Sequence, residues 1–462
     1  MPAIPTIARD MTVLGLDIGT NLIKVVEMRA TRGSLQLLNL GIRPTPPEVI
    51  SNGVIVDASA LGSAIRGLVQ AQGIRTRDVI ASVAGQSSLV VRPIEVPKMS
   101  RAELADTMRW EVERHIPFAA SEVIMDYQPL IEPEELPEER QNMEVLLAVA
   151  QEDMINAYLE TFQVAGLQPR ALDIEGLASA RSLVDVRAAD GLYDQTLALV
   201  NIGATTTDIS IIRNGLLSFN RPVPMAGDSL TNAISENLGR DLGEAERLKK
   251  EAGMVVLDER PMAAVAPPPA PEPQTPAAAE EETPEAEQQA EPVFDLSAEL
   301  EDEVAPRRAA PAVPEQIFDL SQPPEQGAPA APVAQPKPPG RPAEPSPPRP
   351  SIQLSTEAIS RRVYEAMLPA LSELVTEIRR SLEYYRSRYP DSTVDRILLF
   401  GGTARLPNLA TFIANEVGIT VEVANPVRQL DFLPPFYSRA YLDEIACLLP
   451  IAVGLAIRDV LE

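Results

Sequence analysis

Cysteine, histidine and tryptophan each occur once in the 462 residues. A single thiol, Cys447, allows no internal disulfide, and its place in the apolar run 445–457 reads as a buried thiol in a reducing compartment. One histidine and one cysteine cannot build a His/Cys zinc cluster, nor a cysteine–histidine catalytic pair without recruiting both. Long apolar runs are missing too: 445–457 contains Pro450 and falls short of the roughly 20 residues a spanning helix needs. Positive charge is scarce. Against 66 acidic residues stand 40 basic ones, and the formal charge of -26 repels phosphate backbones and anionic headgroups. Nucleic-acid binding and direct membrane insertion are therefore not expected. The opening MPAIPTIARDMTVLGLD has neither a basic region nor a long apolar one, so no secretory leader is read and a cytoplasmic location is expected. No basic amphipathic tail is seen at the carboxyl end, so membrane attachment is expected through a partner.

Proline, by contrast, is abundant in one place. Residues 261–350 hold 24 of the 45 prolines, with 16 acidic and 5 basic side chains. Proline removes backbone donors there, and few bulky apolar groups are present to offset chain entropy, so a solvated tether is expected. Within it a phrase recurs, Phe294-Asp295-Leu296-Ser297 and Phe318-Asp319-Leu320-Ser321, preceded by Val293 and Ile317. Two apolar anchors beside acids on one tether suit a bivalent docking peptide, since tethering raises effective concentration. A chance duplication would look the same.

The remaining 12–253 and 351–462 alternate strand and helix signals, which points to an α/β fold. Strand-like runs lie at 13–16, 22–28, 79–83, 89–96, 145–150, 197–201, 208–212 and 396–400. Ser100-Arg101-Ala102-Glu103 reads as a capping box, followed by Leu104, Met108 and Val112 and closed by Pro117. A second helix covers 152–164 and stops at Gly166. The longest, about 355–388, aligns Ile359, Val363, Met367, Leu371, Leu374, Ile378, Leu382 and Tyr385 on one stripe, with Pro369 as a point of kinking.

Two strand–turn–strand phrases resemble each other. The first runs through Asp17-Ile18-Gly19-Thr20-Asn21 into Leu22, Ile23 and Lys24; the second runs through Asn201-Ile202-Gly203-Ala204-Thr205-Thr206-Thr207 to Asp208. Glycine in such a turn lets backbone N–H groups approach anionic oxygens, hydroxyls add donors, and a carboxylate such as Asp17 can hold hydrated Mg²⁺ against phosphates. Either turn alone reads as an ordinary hairpin, but the repetition favours a pair closing on one triphosphate. A third phrase, 397–409, passes from a buried strand through Gly401, Gly402 and Thr403 into a helix, where bare backbone can lie against a base or ribose.

In this order the three phrases resemble the phosphate-1, phosphate-2 and adenosine motifs of the actin, Hsp70 and sugar-kinase superfamily. Gly227-Asp228-Ser229-Leu230-Thr231 followed by Glu246 and Lys249 is similar to its adenosine-side helix, with Glu246 and Lys249 reaching the ribose and base from one helix face. Residues 173–180 and 449–456 resemble its two connecting helices, whose small residues permit close crossing. Asp17-Ile18-Gly19-Thr20, Ile23-Lys24-Val25-Val26-Glu27, 109–118, Ala165-Gly166-Leu167 and 377–385 resemble most closely the PilM family of actin-like type IV pilus assembly proteins, to which the cell-division FtsA family is related.

That resemblance implies a two-lobed actin-like fold: 12–76 begins the first lobe, 77–169 is a subdomain inserted in it, and 170–185 is the first connecting helix. Then 190–253 is second lobe, 254–350 the disordered insert, 351–440 second lobe again, and 441–462 the second connecting helix. It also implies ATP with Mg²⁺ between the lobes, recruitment by the N-terminal cytoplasmic peptide of a PilN-like inner-membrane protein, and links to the pilus motor ATPase and platform proteins. A homo-oligomer is left open. An FtsA-like filament protein and a small-molecule kinase are the alternatives. Hydrolysing members of the superfamily commonly carry Asp where this chain has Asn201, and an amide neither accepts a proton nor offers full charge to Mg²⁺, so slow or absent turnover is expected. Glu175 is the remaining candidate to orient a water, unless it is a plain helix-surface acid. Asp208 is a carboxylate of uncertain aim, Lys24 points to phosphate or to solvent, His115 reads as a solvent or capping contact, and Trp110 reads as a packing residue.

Overall fold

A computed structural model describes residues 11–31, 34–85, 88–116, 118–186, 191–257, 355–428, 430–432 and 437–460. The proline-rich stretch with both Phe-Asp-Leu-Ser phrases, and Pro117, lie outside the described residues.

The chain first folds back on itself as β1 (Met11–Ile18), β2 (Leu22–Thr31) and β3 (Ser34–Pro44), an antiparallel meander. The small ribbon β4 (Ile50–Ser51) and β5 (Val54–Ile55) leads to α1 (Ala58–Ala71), whose first turn is capped by the Asp57 carboxylate on Ala60 N at 2.8 Å. Strand β6 (Asp78–Val83) then lies parallel to β1. A separate antiparallel sheet follows, ordered β7-β9-β8, from β7 (Leu89–Pro97), β8 (Val123–Pro129) and β9 (Asn142–Gln151). Helix α2 (Arg101–His115) covers one face through Leu104 and Met108, and its capping box at Ser100 and Glu103 is formed. Helix α3 (Glu152–Ala165) ends at Gly166, left-handed at φ 73, and β10 (Gln168–Ile174) joins β6 in parallel.

After α4 (Glu175–Leu183) the plan repeats. Strands β11 (Thr196–Ile202), β12 (Thr207–Arg213) and β13 (Leu216–Val223) form a second meander. Helices α5 (Gly227–Leu238), α6 (Leu242–Ala252) and α7 (Thr356–Arg388) follow, then β14 (Arg396–Phe400), parallel to β11, α8 (Leu409–Val417) and β15 (Thr420–Val423). The chain finishes with β16 (Asp431–Phe432) on the edge of β3, α9 (Arg439–Ile445) and α10 (Pro450–Ala456). The first sheet reads β10-β6-β1-β2-β3-β16 and the second β15-β14-β11-β12-β13, so five strands correspond one to one.

The inner strands are apolar because both faces are covered. Val13, Leu14 and Leu16 of β1 and Ile397 and Leu399 of β14 are fully buried. Helices α4 and α10 fill the space between the sheets, and at the points of closest approach only glycine fits. A Cβ on Gly15 would overlap the Ala452 carbonyl, and one on Gly454 would overlap the Ala178 carbonyl. Cys447 is buried in the same cluster, as its apolar run implied.

Several boundaries differ from the sequence reading. Residues 168–174 are strand, so the first connecting helix starts at Glu175, because the β10 edge is needed to complete the parallel set. The second connecting segment is broken into α9, a 3₁₀ turn at Ala446–Leu448 and α10. The inserted sheet itself occupies only 89–151, since β6 and α3 belong to the first sheet and its covering helices. Trp110 is 72% exposed, not packed: two positions beyond buried Met108, it has turned about 200° to the far side of α2. Among the described residues no helix is long and apolar enough to cross a membrane.

Candidate functional site

The two hairpin turns meet. Thr20 Oγ1 and Thr205 Oγ1, 185 residues apart in sequence, lie 3.4 Å from each other. Each turn is closed by the same bond, Gly19 N donating to Leu22 O at 3.0 Å and Gly203 N donating to Thr206 O at 2.9 Å. The first turn is steadied by Thr45, whose N donates to Asn21 O and whose hydroxyl donates to Gly19 O at 2.7 Å. In the second, Thr205 Oγ1 is 3.3 Å from Thr206 Oγ1. Threonine hydroxyls and glycine backbone thus face one another from opposite sheets, an arrangement suited to anionic oxygens.

Repeated strand register places a polar pair at the base of each turn. Asp17 stands opposite Lys24 in the β1–β2 ladder, and Asn201 stands opposite Asp208 in the β11–β12 ladder. Lys24 Nζ donates to Asp17 Oδ2 at 2.5 Å, and Asp17 is only 1% exposed. Lys24 is therefore turned to Asp17 at the base of the first turn and is largely withdrawn from solvent. Among the described residues no cation is paired with Asp208. Burial pushes its carboxyl up to about 7. Glu175, first residue of α4, lies alongside: Asn201 Nδ2 donates to its Oε2 at 3.4 Å. Burial, then the neighbouring Asp208 and Asp17 carboxylates, hold the Glu175 carboxyl well above the usual range, against the opposing pull of Lys24 and Asn201. Glu175 is thus a cleft-facing acid and not a helix-surface one. Burial therefore favours the protonated form of both carboxyls.

Around the second turn the adenosine-side phrases converge on one atom. The Gly203 carbonyl accepts from Gly227 N at 3.2 Å and from Thr403 Oγ1 at 2.8 Å, while Asp228 N donates to Ala204 O at 2.8 Å. Gly401 must be glycine on two counts: its φ is 92, and a Cβ would come 2.5 Å from Asn201 Oδ1. A Cβ at Gly402 would meet nothing within 4 Å, so open space lies there. Glu246 and Lys249 share a helix face as expected, yet they spend their polar groups on the protein. Lys249 Nζ donates to Gly227 O at 2.8 Å, to Thr231 Oγ1 at 2.7 Å and pairs with Glu246 Oε2 at 2.7 Å. Burial acts to raise the Glu246 carboxyl, but hydrogen bonds from Lys249 and Thr231 outweigh it and hold it below the usual range. The pair braces α6 on α5 and shapes this side of the cleft.

The residues fit a nucleotide better than a protein-bound metal. Among the described residues no three His, Cys, Asp or Glu side chains are grouped to hold a metal ion. Asp17 already carries the Lys24 ammonium. Mg²⁺ would therefore enter with phosphate oxygens, through water, and not through a protein cage. Lys24 and Asp208 are the two side chains that motif reading left outside the site. Register alone could have found them, since each is the cross-strand partner of a chosen residue.

A family model described as "Type IV pilus assembly protein PilM" matches residues 15–256, and one described as "Cell division protein FtsA" matches 198–441. The FtsA protein of Bacillus subtilis (strain 168) is 26% identical over 265 residues, covering 53% of this chain and 59% of that protein. The FtsA protein of Streptococcus pneumoniae serotype 2 is 27% identical over 267 residues, covering 53% and 57%. The chain thus spans less than two thirds of the curated relatives it matches. A solved structure described as a PilM-PilN type IV pilus biogenesis complex superposes with a TM-score of 0.69 at 24% identity, covering 98% of this chain and 99% of that one. The architecture is the two-lobed actin-like fold, with the inserted sheet in the first lobe.

Proposed function

The chain belongs to the PilM family of type IV pilus assembly proteins, and from that premise we propose that it is a nucleotide-switched scaffold of pilus assembly. The observation that carries the reading is the meeting of Thr20 and Thr205 across the cleft, with Gly203, Gly227 and Thr403 tied together behind it. Bound ATP supplies a run of negative charge long enough to engage both turns at once. Gly19, Thr20 and Asn21 take it from the first lobe; Gly203, Ala204, Thr205 and Thr206 take it from the second. Lys24 neutralises Asp17 and leaves the phosphate mouth less negative. Gly401, Gly402 and Thr403 leave room for the base and ribose.

Turnover is slow or absent because Asn201, which donates to Glu175 at 3.4 Å, cannot carry the charge that a hydrolytic site places there. Closing both turns on one ligand stabilises one interlobe angle, and that differential binding tunes affinity for a partner. The partner is the N-terminal cytoplasmic peptide of a PilN-like inner-membrane protein, which holds the scaffold at the membrane and connects it to the motor ATPase and platform proteins. The structural neighbour assembled with PilN supports this choice.

Titration calorimetry of a PilN-derived peptide into the full chain, with and without Mg-ATP, tests the reading. Binding strengthened or weakened at least fivefold by nucleotide is expected. Identical peptide affinity in both states refutes the switch, and absence of nucleotide binding refutes the site.

A further inference from the structure

In so acidic a chain most arginines should find a carboxylate, and many do: Arg181 pairs with Asp173 at 2.6 Å, Arg221 with Glu377 at 2.9 Å, and Arg396 with Glu422 at 2.6 Å. Four arginines grouped on the first lobe break that pattern. Among the described residues none of Arg43, Arg66, Arg75 and Arg77 is paired with a carboxylate. Arg66 is the one ionisable residue of α1 and lies on its exposed stripe. Arg43, on β3, is held beside the same helix by a bond from its guanidinium to Ala64 O at 3.3 Å. Arg77 is fixed by bonds to the Ile74 and Thr76 carbonyls, both at 3.2 Å. Arg75 is exposed between them. The nearby acid Asp78 is taken by Arg170 at 3.6 Å.

Two of them, Arg66 and Arg77, line a concavity of about 200 Å³ where α1 and α3 end side by side, together with Val69, Gln70, Ala165 and Gly166. None of its lining residues belongs to either hairpin turn. Two guanidinium groups on its wall and no acid within it select an anion, and their planar forks match the oxygens of phosphate. The space admits one phosphate with a few carbons, which Val69 and Ala165 can contact, but not a folded peptide element. Net charge does not forbid this, because at physiological salt the Debye length of about 8 Å screens distant carboxylates from the patch.

We propose that the pocket between the carboxyl ends of α1 and α3 receives a phosphate group, supplied at the bilayer surface by an anionic phospholipid headgroup. It would orient the first lobe on the membrane by a contact separate from any peptide partner, so it goes beyond the scaffold reading and does not depend on it. Each arginine close to an anionic surface is worth about a fivefold change in partitioning.

The test is co-sedimentation of the full chain, without partners, with vesicles of phosphatidylglycerol and phosphatidylcholine or of phosphatidylcholine alone. Expected is binding to the anionic vesicles that falls between about 50 mM and about 300 mM salt. The double variant Arg66→Gln/Arg77→Gln should lose at least tenfold, while Arg361→Gln/Arg362→Gln, with the same charge change on α7, should keep wild-type binding. ATP affinity should be unchanged in both. Equal loss in the two variants, or none in the first, overturns the proposal. Binding of inorganic phosphate without vesicle binding assigns the pocket to a soluble ligand and overturns the lipid source. Binding of poly-glutamate peptide with neither phosphate nor vesicles overturns the phosphate assignment.

Discussion

Changing Asn201 to aspartate puts a third carboxylate where the chain has arranged for two. Asn201 Nδ2 lies 3.4 Å from Glu175 Oε2, and its strand partner is Asp208. Two full charges at that separation would repel by about 5 kcal/mol at an effective dielectric of about 20. Glu175 avoids most of this by keeping its proton, which burial already favours. The net cost is then about 1–3 kcal/mol near neutrality, and it grows with pH. The sign follows from the protons. Carboxyls raised in the folded state stabilise it fully below their unfolded value near 4, and that stability is lost as pH rises through about 7 for Asp208; Glu175, also raised by burial, acts in the same direction. Asn201→Asp adds one more proton to be kept, so its melting temperature should fall below wild type by about 1–4 °C at pH 8 and converge with it near pH 5. Thermal melts followed by circular dichroism across this range read the difference directly. Saturating Mg-ATP should restore most of the loss, since the cation supplies the missing positive charge, and single-turnover hydrolysis should increase. A variant that melts with wild type at pH 8 without metal would show that residue 201 does not press on Glu175, and the account of slow turnover would go with it.

Two glycines offer independent checks. Gly454→Ala forces α10 off the Ala178 carbonyl, which is backbone and cannot swing aside, so a loss of about 3 kcal/mol in urea unfolding is expected; a loss below about 1 kcal/mol would contradict the close crossing. Gly227→Ala brings a Cβ to 2.6 Å from Thr403 Oγ1 and 3.2 Å from Gly203 O. It should weaken ATP binding at least tenfold with little change in folding, as measured by nucleotide titration, and unchanged affinity would remove α5 from the site.

Much of this was visible in the residues because it is local. The turns at Gly19 and Gly203, the cap at Ser100 and the stop at Gly166 each declare themselves within a few positions. Strand β3 does not. Asn39 and Gly41 interrupt its alternation, and half-buried Asn39 is held by buried Glu27, one strand away, which accepts its amide and also the Thr76 hydroxyl. Strand β10 is hidden by Pro169 at a register shift and by polar edge residues. Lys24 and Asp208 needed the ladder register, which no single hairpin sequence states. The commitment of Lys249 to Gly227 and Thr231 needed the packing of α6 on α5.

Where α6 hands over to the long proline-rich stretch, the chain is pinned. Val255 N donates to Pro407 O at 3.0 Å and Asn408 Nδ2 donates to Val255 O at 2.8 Å, so residue 255 is stitched on both sides to the segment just past Thr403. Val255 is itself fully buried. A tug on the polypeptide downstream of Leu257 is therefore felt first at the 403–408 bend, a few residues from Gly401 and Gly402. Force applied to that stretch has a two-bond route to the diglycine turn.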